Sequence, residues 1–355
     1  MRMLRYLAAE CAVLTLLVAG VGFAMRGVVR IALAARAHPA PLALSGSYAL
    51  PSERDPGILP IPTTAQDSAG TFLGMEDDFL ISRLRSQPIV RMKLNHGGSS
   101  LSFRVDLADG SRAAFKPAQT HLQTIPRKEV AAYRLNRLLG LSAVAPATPR
   151  MVSREDMFAH LHGDTLPMLP RIRSETIFDP RGNTAGVMMY WIPTIKDSGL
   201  DTTDGIAQTT QWLTPGQKIP ANRHALAAQV SDMVVFDFLT ANPDRYSGGN
   251  MMTNEDGSRL YFMDNTLSFF IEPEGSEKTR TALHRVQRFS RRLYEALGRI
   301  SETMLAQALG QASEGEYEIL TKPEIRAVVS RRDYVRRYID GLVASHGAPE
   351  VLYFP

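Results

Sequence analysis

The chain has 355 residues, 44% apolar and 21% charged, with 26 glycines, 22 prolines and one cysteine. This composition excludes a disordered, collagen-like or polytopic membrane protein and allows one large two-lobed unit or two packed domains. Cys11 alone permits neither an intramolecular disulfide nor a cysteine-based metal site, and a net charge of +4 gives no reason to expect a nucleic-acid partner.

Residues 1–37 read as a signal anchor or signal peptide. Arg2 and Arg5 precede an uncharged run from Cys11 to Met25, and Arg26, Arg30 and Arg36 follow it. The weak cleavage candidates favour an uncleaved anchor, so the protein is expected to be membrane-anchored or exported, and the flanking charges leave its orientation close to a tie. Residues 38–71 hold six prolines without a sustained period and read as a semi-extended stalk.

Beyond the stalk, the spacing predicts a short helix from Glu76 to Arg85 and strands over Ile89–Leu94 and Leu101–Leu107. A glycine loop, Asn95 to Ser100, separates the two strands; its Gly97 and Gly98, just upstream of the Lys116 strand, are candidates for binding nucleotide phosphates, with an ordinary loop as the alternative. Asp109-Gly110 then turns into a third strand, Arg112 to Lys116. Only seven of the 40 basic residues are lysines, and Lys116 ends the apolar stretch AAF. An amphipathic helix follows, with Glu129 in its first turn and Gly140 as its stop. A strand lysine held by a helix glutamate is how kinase-type phosphoryl-transfer enzymes fix a cation against nucleotide phosphates. The alternative is an edge-strand solubility charge and a glutamate that complements the helix dipole.

Residues 141–221 are mixed and proline-interrupted, with one strand-like run, Gly186 to Ile192. A broad apolar helix, Arg223 to Thr240, leads into a loop with Asn242, Asp244, Arg245 and Asn250. Two short strands, Met251-Met252 and Arg259–Met263, then end at Asp264. Metal-assisted phosphoryl transfer needs such a set: Asp244 to orient or deprotonate a hydroxyl, with Asn250 and Asp264 as oxygen ligands for Mg2+ or Mn2+. Turn chemistry is the competing reading for each residue alone. The basic segment from Glu277 to His346 has helical period; its arginines read as solvated faces or as a docking surface for an acidic substrate or anionic lipid.

The segments AAFKP, Glu129 to Leu135 (E-x-x-x-Y-R-L), Asp237 to Arg245 (D-F-L-x-x-N-x-D-R) and Met263 to Phe269 (M-D-N-x-x-x-F) together resemble the atypical secretory-pathway kinases of the Golgi casein kinase and four-jointed group. The resemblance, which extends more distantly to the phosphoinositide-kinase-like superfamily, rests on these motifs together. It covers about Ile89 to Phe270. It implies an α+β, two-lobed protein-kinase-like fold, with a small β-rich lobe and connection over 72–192 and a larger, mostly helical lobe over 193–355. It also implies ATP as donor and a hydroxyl acceptor, with Lys116 on the phosphates, Glu129 holding it or joining the metal site, Asp244 catalytic and Asp264 on the metal.

Two departures stand out. Asp244 to Asn250 is one residue longer than the spacing usual in classical protein kinases, so Gly248-Gly249 must absorb the excess. The eukaryotic relatives are disulfide-stabilised, and an arginine-heavy catalytic part without cysteine suggests a bacterial member. The expected activity is ATP-dependent phosphorylation of a hydroxyl, with protein Ser/Thr as acceptor. The alternatives are a sugar or lipid head group, AMP transfer on the same fold, or a membrane-tethered pseudokinase scaffold.

Overall fold

The computed structural model describes residues 70–96, 98–310 and 318–355. The expected anchor, most of the stalk and Gly97 lie outside the described residues. No helix among the described residues is long and apolar enough to cross a membrane.

The described chain opens with a small antiparallel pair, β1 (Thr71–Phe72) and β2 (Met75–Glu76), and then helix α1 (Asp77–Ser86). Asp77 and Asp78 in its first turn and Arg83 and Arg85 in its last complement the helix dipole, while Leu80 and Leu84 face inward. Next come β3 (Ile89–Leu94), β4 (Phe103–Leu107) and β5 (Arg112–Pro117). Along β4, Phe103, Val105 and Leu107 are buried and alternate with Arg104 and Asp106, the period of a strand with one core face. Gly110 takes a φ of +81° in the turn before β5, as the Asp-Gly pair predicts.

Helix α2 (Arg127–Leu138) follows, and Gly140, with φ +72°, stops it. The proline-interrupted stretch hides more order than the sequence suggests: β6 (Ala147–Ser153), α3 (Arg154–Ala159), a 3-10 turn (Gly163–Met168), α4 (Leu169–Glu175) and β7 (Asn183–Tyr190). Pro149 lies in β6, an edge strand of the antiparallel sheet β3-β4-β5-β7-β6, where a missing N–H is tolerated. The strand expected at Gly186–Ile192 begins three residues earlier and ends at Tyr190. Gly186 is required there, because a Cβ would lie 2.4 Å from the Phe115 ring and 2.7 Å from the Lys116 carbonyl oxygen.

The helical part holds β8 (Lys196–Asp197), α5 (Thr203–Trp212), α6 (His224–Thr240), β9 (Met251–Thr253) and β10 (Leu260–Phe262). Helices α7 (Glu277–His284), α8 (Arg291–Arg299), α9 (Glu302–Leu309), α10 (Lys322–His346) and α11 (Ala348–Val351) complete it. Strands β8, β9 and β10 form a second small sheet. Two apolar cores flank the five-stranded sheet. One packs Phe103, Val105 and Phe115 with Met157 and Ile172, and the other joins α2, β7, α6 and the carboxyl-terminal helices. Not all the late arginines are solvated. Arg288 and Arg331 are buried, and Arg331 donates to the carbonyls of Leu239, Phe270 and Glu272, bracing the end of α6 against the segment after β10.

Asp232 is buried on α6 with one carboxyl oxygen lacking a partner among the described residues, and burial pushes its pKa up to about 7 despite Arg292. The folded state therefore keeps a proton that the unfolded chain releases near pH 4. Asp232 destabilises the fold increasingly as pH rises from about 4 to 7, and fully above that. Asp232→Asn should raise the melting temperature by several degrees at about pH 8 and hardly at all at about pH 4. Equal shifts in thermal scans at the two pH values would contradict this account.

Candidate active site

Strand β5 is central in its sheet, between β4 and β7, so Lys116 is not an edge-strand charge. Its Nζ lies 2.8 Å from Glu129 Oε1 and 2.8 Å from Asp264 Oδ1. Lys116 and Glu129 are buried, whereas the Asp264 side chain is 39% exposed. Burial alone would lower the lysine's pKa; the Asp264 and Glu129 carboxylates outweigh it and hold the ammonium above its ordinary value. Burial would likewise raise Asp264, but Lys116 and the hydrogen bonds from Thr266 hold it below the usual carboxylate range. Glu129, in the first turn of α2, thus pairs with the lysine rather than only complementing the helix dipole.

The loop after α6 brings Asp244 and Asn250 together. Asn250 Nδ2 donates to the Asp244 carbonyl at 2.9 Å and to its carboxylate at 3.4 Å, which leaves the amide oxygen free of any hydrogen bond among the described residues. Gly248 and Gly249 both have positive φ, +92° and +72°, and this tight reversal takes up the extra residue. Asn242 Oδ1 accepts from Asp244 N at 2.9 Å, and its Nδ2 is 3.5 Å from the Asp264 carbonyl, tying the loop to the strand end. Ala241 and Asp264 take left-handed φ values of +51° and +46°, so non-glycine strain brackets the site. Gly98 is exposed and a Cβ there would meet nothing, so loop packing does not demand a glycine at that position.

The group that joins these parts is one to which the sequence alone assigns no role. Arg245 is fully buried; it pairs with Asp237 at 2.9 Å and donates to the carbonyls of Asn250 and Met263 and to Asn265 Oδ1. Asn265 Nδ2 in turn donates to Glu129 Oε2 at 3.2 Å. A continuous chain therefore runs Asp237, Arg245, Asn265, Glu129, Lys116, Asp264. Burial raises the Asp237 pKa even against Arg245, so this pair is held by its geometry in a costly environment. The only sequence signal was the eight-residue spacing of Asp237 and Arg245 within one motif.

Among the described residues, no three His, Cys, Asp or Glu side chains gather into a metal cage. Asp264 and the Asn250 amide are nevertheless hard oxygen donors of the kind Mg2+ or Mn2+ takes when phosphate oxygens supply the remaining ligands. These residues fit such an ion.

A sheet-rich part carrying a lysine–glutamate pair, packed on a helical part carrying the Asp244 loop and Asp264, is a kinase-like fold. Residues 76–269 match the four-jointed box protein middle domain, and the chain belongs to that family. No curated protein matches the sequence. Among solved structures it is similar to the Golgi casein kinase, with TM-score 0.60, 16% identity and 78% of each chain covered. The same kinase with Mn and ADP bound gives 0.61 at 16% identity, again covering 78% of each chain. Hydra Fam20 with sugar gives 0.58 at 18% identity, covering 77% of this chain and 90% of that one. At these identities the likeness establishes the fold.

Proposed function

We propose that the protein is an ATP-dependent phosphotransferase that moves the γ-phosphate to a hydroxyl, with protein Ser/Thr as acceptor. The observation that carries the proposal is Lys116 held at 2.8 Å by both Glu129 and Asp264, with Asp244 tied to the same strand end through Asn242. Lys116 binds phosphate oxygens, and Glu129 and Asn265 fix its position. Asp244 accepts the acceptor's hydroxyl proton as that oxygen bonds to the γ-phosphorus; the bridging P–O bond breaks and its electron pair leaves with ADP. Asp264 and Asn250 would hold the divalent ion, which would neutralise phosphate charge when bound. That a neighbour of the same fold has been seen with Mn and ADP supports this choice of ligands.

The test is incubation of the protein with γ-labelled or α-labelled ATP, Mn2+ or Mg2+ and generic hydroxyl acceptors, beside Asp244→Ala and Asp264→Ala. Label from the γ position, lost in both variants, is the expected result. Label from the α position would instead establish AMP transfer, and metal-dependent nucleotide binding without turnover a pseudokinase. We also propose that residues 1–37 anchor the protein in a membrane. It should then resist carbonate extraction, and a soluble product starting near residue 35 would show cleavage instead.

A further inference from the structure

The face of the sheet that carries Lys116 also carries an arginine cluster for which the phosphotransferase reading has no use. Arg104 pairs in register with Ala114 on β5, two residues from Lys116. The pleat turns Phe103, Val105 and Phe115 into the core on the opposite face, so Arg104, Ala114 and Lys116 share one face and Arg104 is the diagonal neighbour of the lysine. Among the described residues, the only carboxylate within ion-pair range of Arg104 is Asp106, at 4.0 Å, and Asp106 already pairs with Arg91 and, at 3.2 Å, with Arg112. Three guanidinium groups thus share one carboxylate. Arg104 Nε is buried and has no hydrogen-bond partner among the described residues.

The lysine, by contrast, has no charge to spare. Lys116 is shared between two carboxylates, and with Asp244 the four groups sum to two negative charges. A nucleoside triphosphate entering such a site needs more positive charge than Lys116 supplies, even with divalent ions present. Among the described residues, Arg104 is an incompletely paired cation on the same face.

Resting on the phosphotransferase reading, we propose that Arg104 is a nucleotide-binding residue that leaves Asp106 to contact the phosphate chain of the bound nucleoside triphosphate. Asp106 is then its competitor: the carboxylate parks the guanidinium while the cleft is empty and is returned to Arg91 and Arg112 when nucleotide enters. The role suits arginine, whose planar fork engages phosphate oxygens in pairs.

The experiment is calorimetric titration of the full chain with ATP, ADP, AMP and adenosine in Mn2+, for the unaltered protein, Arg104→Met, Arg104→Lys and Asp106→Asn. Arg104→Met should weaken ATP about tenfold, ADP less, and adenosine not at all. Arg104→Lys should fall between, and Asp106→Asn should bind ATP as tightly as the unaltered protein or more so. The last result separates ligand contact from a structural role, since a sheet merely braced by the Arg104–Asp106 contact would weaken in both variants. Unchanged ATP affinity in Arg104→Met, or equal weakening of ATP and adenosine, would overturn the inference while leaving the phosphotransferase intact. An effect on the acceptor's KM alone would reassign Arg104 to the acceptor and overturn it too. No nucleotide binding by the unaltered protein would instead sink the phosphotransferase reading, and this inference with it.

Discussion

Replacing Lys116 with methionine is expected to lower phosphate transfer by about two to three orders of magnitude, the effect of removing one preorganised charge from a transferring group. The same change should leave a distinctive mark on stability. Lys116 is the cation at 2.8 Å from both Glu129 and Asp264, and Glu129 is buried. Without it, two carboxylates remain close together, Glu129 with only the Asn265 amide on its other oxygen among the described residues. The lowest-energy response of Asp264 is to bind a proton, so its pKa should rise.

The sign of the pH dependence follows. In the unaltered protein Asp264 is held below its ordinary value, so it contributes stability above pH 4 that is lost only as pH falls through its lowered folded pKa. Lys116 is held above its ordinary value, so its contribution is complete below about pH 10 and is lost only in stronger base. In Lys116→Met the carboxyl contribution inverts: relative to the unaltered protein, stability should improve as pH is lowered from about 8 to 5. Urea denaturation of both proteins at the two pH values checks this, and a pH-independent difference would mean that the lysine is not the carboxylates' main partner.

Replacing Arg245 with leucine is expected to have the largest effect on stability, a loss of about 3–5 kcal/mol, because it leaves Asp237 as an unpaired buried charge. It also strips a donor from the Asn250 and Met263 carbonyls and from Asn265. Since Asp237 is already raised by burial, the double variant Asp237→Leu with Arg245→Leu should recover part of the loss, as replacing a whole buried pair does more gently than breaking it. Denaturant midpoints of the two single variants and the double variant form the cycle. A loss below about 1 kcal/mol for Arg245→Leu, or strict additivity in the double variant, would remove Arg245 from the centre of the network.

Much of the fold was legible because its signals are local. Strand alternation and the Asp-Gly turn located β3 to β5, and Gly140 located the end of α2. The long apolar run of α6 and the turn residues after it marked the loop that brings Asp244 and Asn250 together. The region from residue 141 to 221 was opaque because its strand β6 carries Pro149, which a sequence pattern reads as a breaker and an edge strand accommodates. Arg288 and Arg331 were misread for a related reason. An arginine in a helical repeat looks solvated until the carbonyls it will satisfy come from elsewhere in the chain, as those of Leu239 and Phe270 do for Arg331.

The sequence by itself determined that no intramolecular disulfide or cysteine-based metal site holds this chain together, and that the part after the expected anchor contains no cysteine. It also set out in order a strand lysine, a helix glutamate, a loop aspartate and a strand-end aspartate. Only the tertiary structure decided that Lys116 sits on a central strand and is shared by Glu129 and Asp264. Only the fold joins Asp237, Arg245 and Asn265 into the network behind them, and only strand register sets Arg104 beside the lysine. The physical reason is range. Propensity, capping and turn chemistry act over a few residues, whereas an ion pair such as Lys116–Asp264 depends on how two distant segments pack, and the apolar cores on the two faces of the sheet decide that.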